Sequence, residues 1–255
     1  MNIKTTKKLS LNLPSLSLSL RALFSSYLLV VAIGLMMSGF QILLTHGMAD
    51  GKFGLSINDI VYSYYGNRGG SILEGKLHGS MKDKASVTDK ASIIKWIQHG
   101  STRVEWDNKV EKIFQNNCIK CHGTIPGLAS FTSFSFVKNY TKIDKGASID
   151  SLTRVSHIHL FGIAFIFFFV CIIFSLAIRI PFWLKVSAIS FPFLFLIVDI
   201  FSWWLIKWYP NFAILTIIGG FGYNLAAGYM IITSFVQMWI WPRYNKDFDE
   251  NAWLD

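Results

Sequence analysis

Four stretches of the chain carry almost no charge: residues 22–44, 158–178, 186–206 and 212–240. As helices rising about 1.5 Å per residue, each is long enough to cross a hydrocarbon core of about 30 Å. The segment between the first two is polar and broken by turn residues. The pattern predicts a mostly α-helical protein in which a small helical domain is inserted between transmembrane helix 1 and a three-helix transmembrane bundle. The expected divisions are a basic tail over 1–21, a first transmembrane helix over 22–45 and a water-facing domain over 46–156. Three transmembrane helices over 157–241 and a tail over 242–255 complete the chain.

Inside the polar insert, two amphipathic patterns stand out. Ile93, Ile94 and Ile97 share one face of a helix, with Thr88 as its expected cap, Asp89 at its positive end and Gly100 as its stop. Val110, Ile113 and Phe114 recur at helical spacing just downstream. Further upstream, Asp59–Gly70 places tyrosines before a glycine-rich turn, which predicts a strand or short helix ending in a loop.

Composition sharpens this picture. The chain is 52% hydrophobic and only 15% charged, whereas soluble domains carry roughly a quarter charged residues. A soluble globule and a disordered chain are both excluded. Basic residues flank the spans unevenly: Lys4, Lys7, Lys8 and Arg21 before the first, Arg179 and Lys185 after the second, Arg243 and Lys246 after the fourth. Because basic flanks stay in the cytoplasm, both termini are expected inside a bacterial inner membrane. Residues 46–156 and the turn 207–211 are then periplasmic, with Lys207 as the one dissenting charge. The first apolar run is too long for a signal-peptide core of about 7–15 residues and reads as an uncleaved anchor. Residues 46–156 hold 15 basic and 10 acidic residues, which suits an acidic protein partner or an anionic lipid surface. No nucleic-acid motif is present.

The chemistry concentrates in Cys118-Ile119-Lys120-Cys121-His122, the C-x-x-C-H pattern of covalent c-type haem attachment. Two thiols one helical turn apart meet the two vinyl groups of a porphyrin as thioethers, and the adjacent imidazole ligates iron. A thioredoxin-like pair would need a βαβ setting, and a zinc site a second ligand pair nearby; neither is evident. Cys171, mid-span, reads as an inert buried thiol.

With Val110–Asn117 ahead of it, this pentapeptide resembles the opening of a class I cytochrome c. The likeness extends over residues 75–145 and to none of the spans. It implies one covalent haem c held by Cys118, Cys121 and His122, with iron bound by His122 and a distal ligand. In that family a distal methionine follows the motif; here no methionine stands between His122 and the second span. Met81 instead precedes it, followed by the Thr88–Gly100 helix. The resemblance therefore implies a circularly permuted cytochrome fold, with residues 76–100 as the usual second half, residues 106–145 as the first and Ser101–Trp106 as their connection. Met81 is then the sixth ligand; His157, His159 and His78 are the alternatives, and His99 is a further one. His46, His157 and His159 together also admit a copper or zinc site.

In the spans, Asp199 is a costly carboxyl in hydrocarbon, with Asn224 or Tyr223 as its expected hydrogen-bond partner. Gly220, Asn224, Ala227 and Gly228 form a small-residue stripe for helix packing. No paired histidines occur on the last two spans, so no transmembrane b-type haem is expected. The expected function is electron relay by a membrane-anchored monohaem cytochrome c, working with other periplasmic or membrane redox proteins, as a subunit of a respiratory complex rather than a free-standing enzyme. The alternatives are a quinol-oxidising subunit using Asp199, His157 and His159, and a haem-based sensor.

Overall fold

The computed structural model describes residues 10–47, 49–50, 52–244 and 248–254, and leaves Lys4, Lys7, Lys8 and Lys246 outside its description. Twelve α-helices follow in chain order among the described residues, with no named strand. They are α1 (Leu18–Thr45), α2 (Ile57–Tyr64), α3 (Ile72–His78), α4 (Val87–Gln98), α5 (Arg103–Glu105) and α6 (Glu111–Asn117). Then come α7 (Ile119–His122), α8 (Phe134–Asn139), α9 (Ile149–Ser175), α10 (Phe182–Ile206), α11 (Ala213–Phe235) and α12 (Trp241–Tyr244). Four helices are long and apolar enough to cross a membrane: Leu18–Leu44, Ile149–Ser175, Phe182–Ile206 and Pro210–Tyr244. The protein is thus a multi-pass membrane protein. The second of these helices begins earlier than its apolar run suggests. Its first turns carry Asp150, Arg154 and His157, yet they bury Leu152 and Ser156.

The chain forms two compact units. One comprises residues 1–40, 150–203 and 214–255; the other comprises 41–149 and 204–213. The second unit therefore starts slightly before residue 46, ends before 156, and takes in the short turn around Lys207.

In the membrane unit, Leu28, Val31, Val170, Phe174, Met230 and Met238 are buried in one apolar cluster. Span four meets span three at Gly219 and Gly222. A Cβ at Gly219 would lie 2.7 Å from Asp199, and one at Gly222 would lie 2.4 Å from the Phe195 ring. Gly228, placed in the stripe by sequence, has nothing within 4 Å. The close contacts with span three therefore fall at 219 and 222, outside the expected stripe, while Ala227 of that stripe is fully buried beside Phe167.

At one end of this unit, three chain segments knot together. Leu13 N donates to Leu176 O at 2.9 Å, Ala252 N to Leu11 O at 2.9 Å, and Lys185 Nζ to Ala252 O at 2.6 Å. The fully buried Asn12 amide donates to Phe248 O and Glu250 O, at 3.2 and 2.7 Å. Its oxygen accepts from Ser15 N, and Arg179 pairs with Glu250 at 2.9 Å. The residues following span four are therefore no loose tail over 248–254. Four crossings bring residues 11–15, residues 248–254 and the α9–α10 connection to one side, as this knot requires.

The other unit has its own core. α2 begins with a capping box in which Ser56 and Asp59 serve each other's backbone, and the fully buried Asp59 carboxylate also accepts from Asp50 N at 2.9 Å. α4 is capped by Ser86, not Thr88, whose position falls inside the first turn. It ends at Gly100 with φ +88; Gly100 N returns to Ile97 O and Ser101 N to Trp96 O, both at 3.0 Å, the paired bonds of a Schellman stop. α5 runs through a π-helical turn, Trp106–Val110, into α6. Ile93 and Trp96 of α4 pack with Trp106, Val110, Ile113 and Phe114, joined by Leu73 and Leu77 of α3.

The loop before α9 closes tightly on α2. Gly66 and Gly146, both at positive φ, approach so closely that a Cβ on either would meet the other's backbone within 3 Å. Lys207 Nζ donates to Lys145 O and Ala147 O, and Arg68 to Lys207 O. The cation that ran against the charge bias therefore has a structural partner set.

Replacing Asn12 by alanine leaves two carbonyls and one amide without their partner. A loss of about 1–3 kcal/mol is expected, read as a lower thermal midpoint with faster proteolysis within residues 248–254. An unchanged midpoint and protease pattern would show that the knot does not hold the termini.

Candidate functional site

Cys118 ends α6 and starts α7. Its own amide closes α6 onto Phe114 O at 2.8 Å, while Cys121 N and His122 N both return to Cys118 O, at 3.2 and 2.9 Å. One tight turn thus separates the two thiols and presents the imidazole directly after them. Cys118 is half-buried against the Trp106–Phe114 core, and Cys121 is exposed. Burial pushes the Cys118 thiol up to about 11, reinforced by the Asp89 carboxylate. Asp89 is also the acceptor for Asn117 Nδ2 at 3.3 Å, tying α4 to the end of α6.

The His122 ring is fixed on two sides. Nδ1 lies 2.8 Å from Ala129 O. A carbonyl only accepts, so the ring donates from Nδ1, and in the neutral ring the lone pair is left on Nε2. Phe131 stacks on the ring at 4.2 Å with 14° between the planes. Phe131 is in turn held edge-on by Phe114 at 5.6 Å and Tyr140 at 5.4 Å. The Nε2 atom has no hydrogen-bond partner among the described residues. Ala129 and Phe131 are not visible as site residues in the sequence: one acts through its backbone, and the other lies beyond the motif in an irregular loop. Ile125 and Leu128, in the same loop, expose apolar side chains at 50% and 46%.

Comparison with known proteins bears on the other half of the chain. Residues 130–246 match a family described as a transmembrane helical domain. The similarity begins beyond His122. It covers less than half of the chain, and no curated protein or solved structure matches the chain.

The remaining candidates fall in different places. Met81 is half-buried in the turn after α3, with its amide on Lys76 O at 2.8 Å. His78 lines a separate hollow with His46, in which none of Cys118, Cys121 or His122 takes part. His99 is paired with Glu105 at 2.9 Å. His157 and His159 lie on α9. The His157 ring rests on Phe161 at 5.0 Å, and His159 donates from Nδ1 to Val155 O and meets the Trp203 indole edge-to-face at 5.3 Å. Among the described residues, no three His, Cys, Asp or Glu side chains gather as a metal-ligand set, which leaves the copper or zinc reading of His46, His157 and His159 without support. Asp199 takes its hydrogen bond from Trp203 Nε1 at 3.0 Å. Asn224, expected to serve it, instead donates to Gly220 O at 2.7 Å, one turn back on its own helix.

The two thiols should differ in reactivity when both are free. Iodoacetamide at pH 8 is expected to label Cys121 first, with Cys118 labelling rising about tenfold per pH unit until its thiol ionises. Peptide mass mapping over a pH series reads this directly. Equal rates would mean that Cys118 is not sheltered by α4.

Proposed function

We propose that the unit containing residues 41–149 is a monohaem c-type cytochrome that relays electrons on the periplasmic face of a bacterial inner membrane. The observation that carries this reading is the His122 imidazole. It follows two thiols spaced by one turn, and Ala129 O holds its Nδ1 so that Nε2 is left as a ligand. Metal-binding histidines characteristically have their second nitrogen fixed in this way by a backbone carbonyl or carboxylate. The exposed Ile125 and Leu128 beside the motif supply the apolar surface that a porphyrin face covers. The residues present therefore fit a covalent haem: Cys118 and Cys121 would bond its edge and His122 its iron.

When bound, such a group supplies a one-electron couple whose potential follows its axial ligands and burial. The chain's part is to fix and shield. Phe131, Phe114 and Trp106 brace the imidazole from the side of the core. Met81 is the proposed distal ligand, since the turn that holds it follows α3, whose Leu73 and Leu77 share the core with Phe114 and Phe131. His157, His159 and His78 are the alternatives, and the hollow shared by His78 and His46 favours it least.

The order α3, Met81, α4, then α5–α7 with the attachment motif fits the permuted arrangement, because α4 packs on the helix that leads into the motif. Lys109, Lys112 and Lys120 are exposed around that helix, and they favour an acidic redox partner by steering its approach. The membrane spans would keep the relay beside membrane complexes at high effective concentration.

The test is a pyridine haemochrome spectrum and intact mass of the purified chain. One haem per chain is expected, lost in Cys118→Ala/Cys121→Ala; colourless protein of unmodified mass would overturn the reading. Met81→Ala should keep the covalent haem yet lose its low-spin spectrum. A low-spin spectrum unchanged in that variant would move the distal assignment to His157, His159 or His78.

A further inference from the structure

A second site lies in the same unit, apart from the cysteines. A hollow of about 440 Å³ is bounded by His46 and Asp50 after α1, Tyr62 of α2, Lys76 and His78 of α3, and Asp144 before α9. His46 is two residues past the Leu44 end of the first span, and the hollow's last residue, Ala147, is two before the Ile149 start of the second. The lining therefore draws on residues that adjoin the first and second spans in sequence. Its volume falls in the usual range for small-molecule sites, about 300–1,000 Å³.

The hydrogen bonds decide what the hollow offers. Both Asp144 oxygens are engaged, by Asn67 N at 3.1 Å and Gly146 N at 2.8 Å. Both Asp50 oxygens are engaged by Lys52 N and Ser56 Oγ, at 2.9 and 3.1 Å. The Ser63 hydroxyl donates to Asp59 O at 2.8 Å, so toward His46 Nδ1, also 2.8 Å away, it accepts. His46 therefore donates from Nδ1 and turns a lone pair outward on Nε2. Burial, then the neighbouring Lys76 ammonium, push this imidazole below its usual range, with Asp59 opposing; the neutral ring is favoured. Lys76 and His78 are exposed and have no partner among the described residues.

His46 Nε2 thus offers an acceptor with no partner among the described residues, and Lys76 and His78 offer donors on the same lining, with the Tyr62 ring and Ile72 on the wall. Asp50 and Asp144 share this lining with Lys76, so charges of both signs border the hollow and a neutral molecule with polar groups at both ends suits it. We infer that this hollow binds the headgroup of a membrane hydroquinone, one hydroxyl donating to His46 Nε2 and the opposite oxygen accepting from Lys76. A hydroquinone is neutral, flat, bears oxygens at both ends and reaches water from the lipid. As an electron source it rests on the relay reading above, but its binding does not.

The experiment uses the full chain in detergent and a fluorescent alkyl-hydroxyquinoline N-oxide, a redox-inactive quinol mimic. Saturable binding at one probe per chain is expected. Lys76→Met and His46→Gln should each weaken it about tenfold or more. Lys76 is exposed, so its variant tests the site even if His46→Gln misfolds. Asp199→Asn should bind as the unaltered chain does. Haem content measured on the same samples separates failure of the relay reading from failure of this one. Absence of saturable binding, binding indifferent to Lys76→Met, or loss confined to Asp199→Asn would overturn the assignment.

Discussion

The packing of α4 against the stretch from Trp106 to Asn117 sets the geometry on which the rest of the unit over residues 41–149 depends. Trp96 meets Trp106 at 5.5 Å, Trp106 meets Phe114 at 5.2 Å, and Phe114 meets Phe131, which lies on the His122 ring. Each of these aromatic side chains gains about 1.5–3 kcal/mol or more from burial. The contact is therefore strong enough to impose an irregular helix. The π-helical turn at Trp106–Val110 inserts one residue per turn, and both its end residues, Trp106 and Val110, are buried at 2% exposure. Trp96 Nε1 donates to Thr102 O at 2.9 Å, so the link between the two helices is tied down by the same residue that forms their interface.

Apolar length and helical spacing made most of this architecture legible. The four spans follow from uninterrupted hydrophobicity, and the α4 and α6 faces from Ile93, Val110, Ile113 and Phe114. What escaped was set by contacts that leave no periodic trace. Ser86 and Thr88 are equally good caps by type, and only the start of the α4 hydrogen-bond ladder chooses between them. The register of span four depends on which glycines face α10; Gly219 and Gly222 do, and Gly220 and Gly228 carry the same letter in the sequence. Asp199 found its donor on its own helix, one turn away at Trp203, where a search across helices would not look. The C-terminal segment reads as a polar tail because its partners, Asn12 and Lys185, are far away in sequence.

Of the candidate site, the sequence carried the ligating types and their spacing, while the orientation came from the backbone. Nothing about Ala129 as a residue type signals that its carbonyl holds an imidazole. The same is true of His46, whose usable nitrogen is decided by a serine that has already committed its proton elsewhere. Side-chain chemistry is written in the sequence, but the direction in which a histidine presents its lone pair is a property of the fold.

That distinction also separates the two units chemically. In the membrane unit the polar side chains are turned inward on one another: Ser202 on Thr216 at 2.6 Å, Gln237 on both backbone groups of Ile178, Trp203 on Asp199, and Asn224 on Gly220. Ser234 Oγ is the exception among the described buried side-chain atoms. Hydrocarbon offers no competing partner, so a group left unpaired there costs more than it does beside water. These bonds account for the buried polar residues as packing, without requiring a reaction. In the other unit Nε2 of His122, Nε2 of His46 and the Lys76 ammonium have no hydrogen-bond partner among the described residues, and in the membrane unit the same holds for Nε2 of His159. Unengaged donors and acceptors persist where water can serve them until a ligand does, and the proposed haem and hydroquinone sites both rest on groups of this kind.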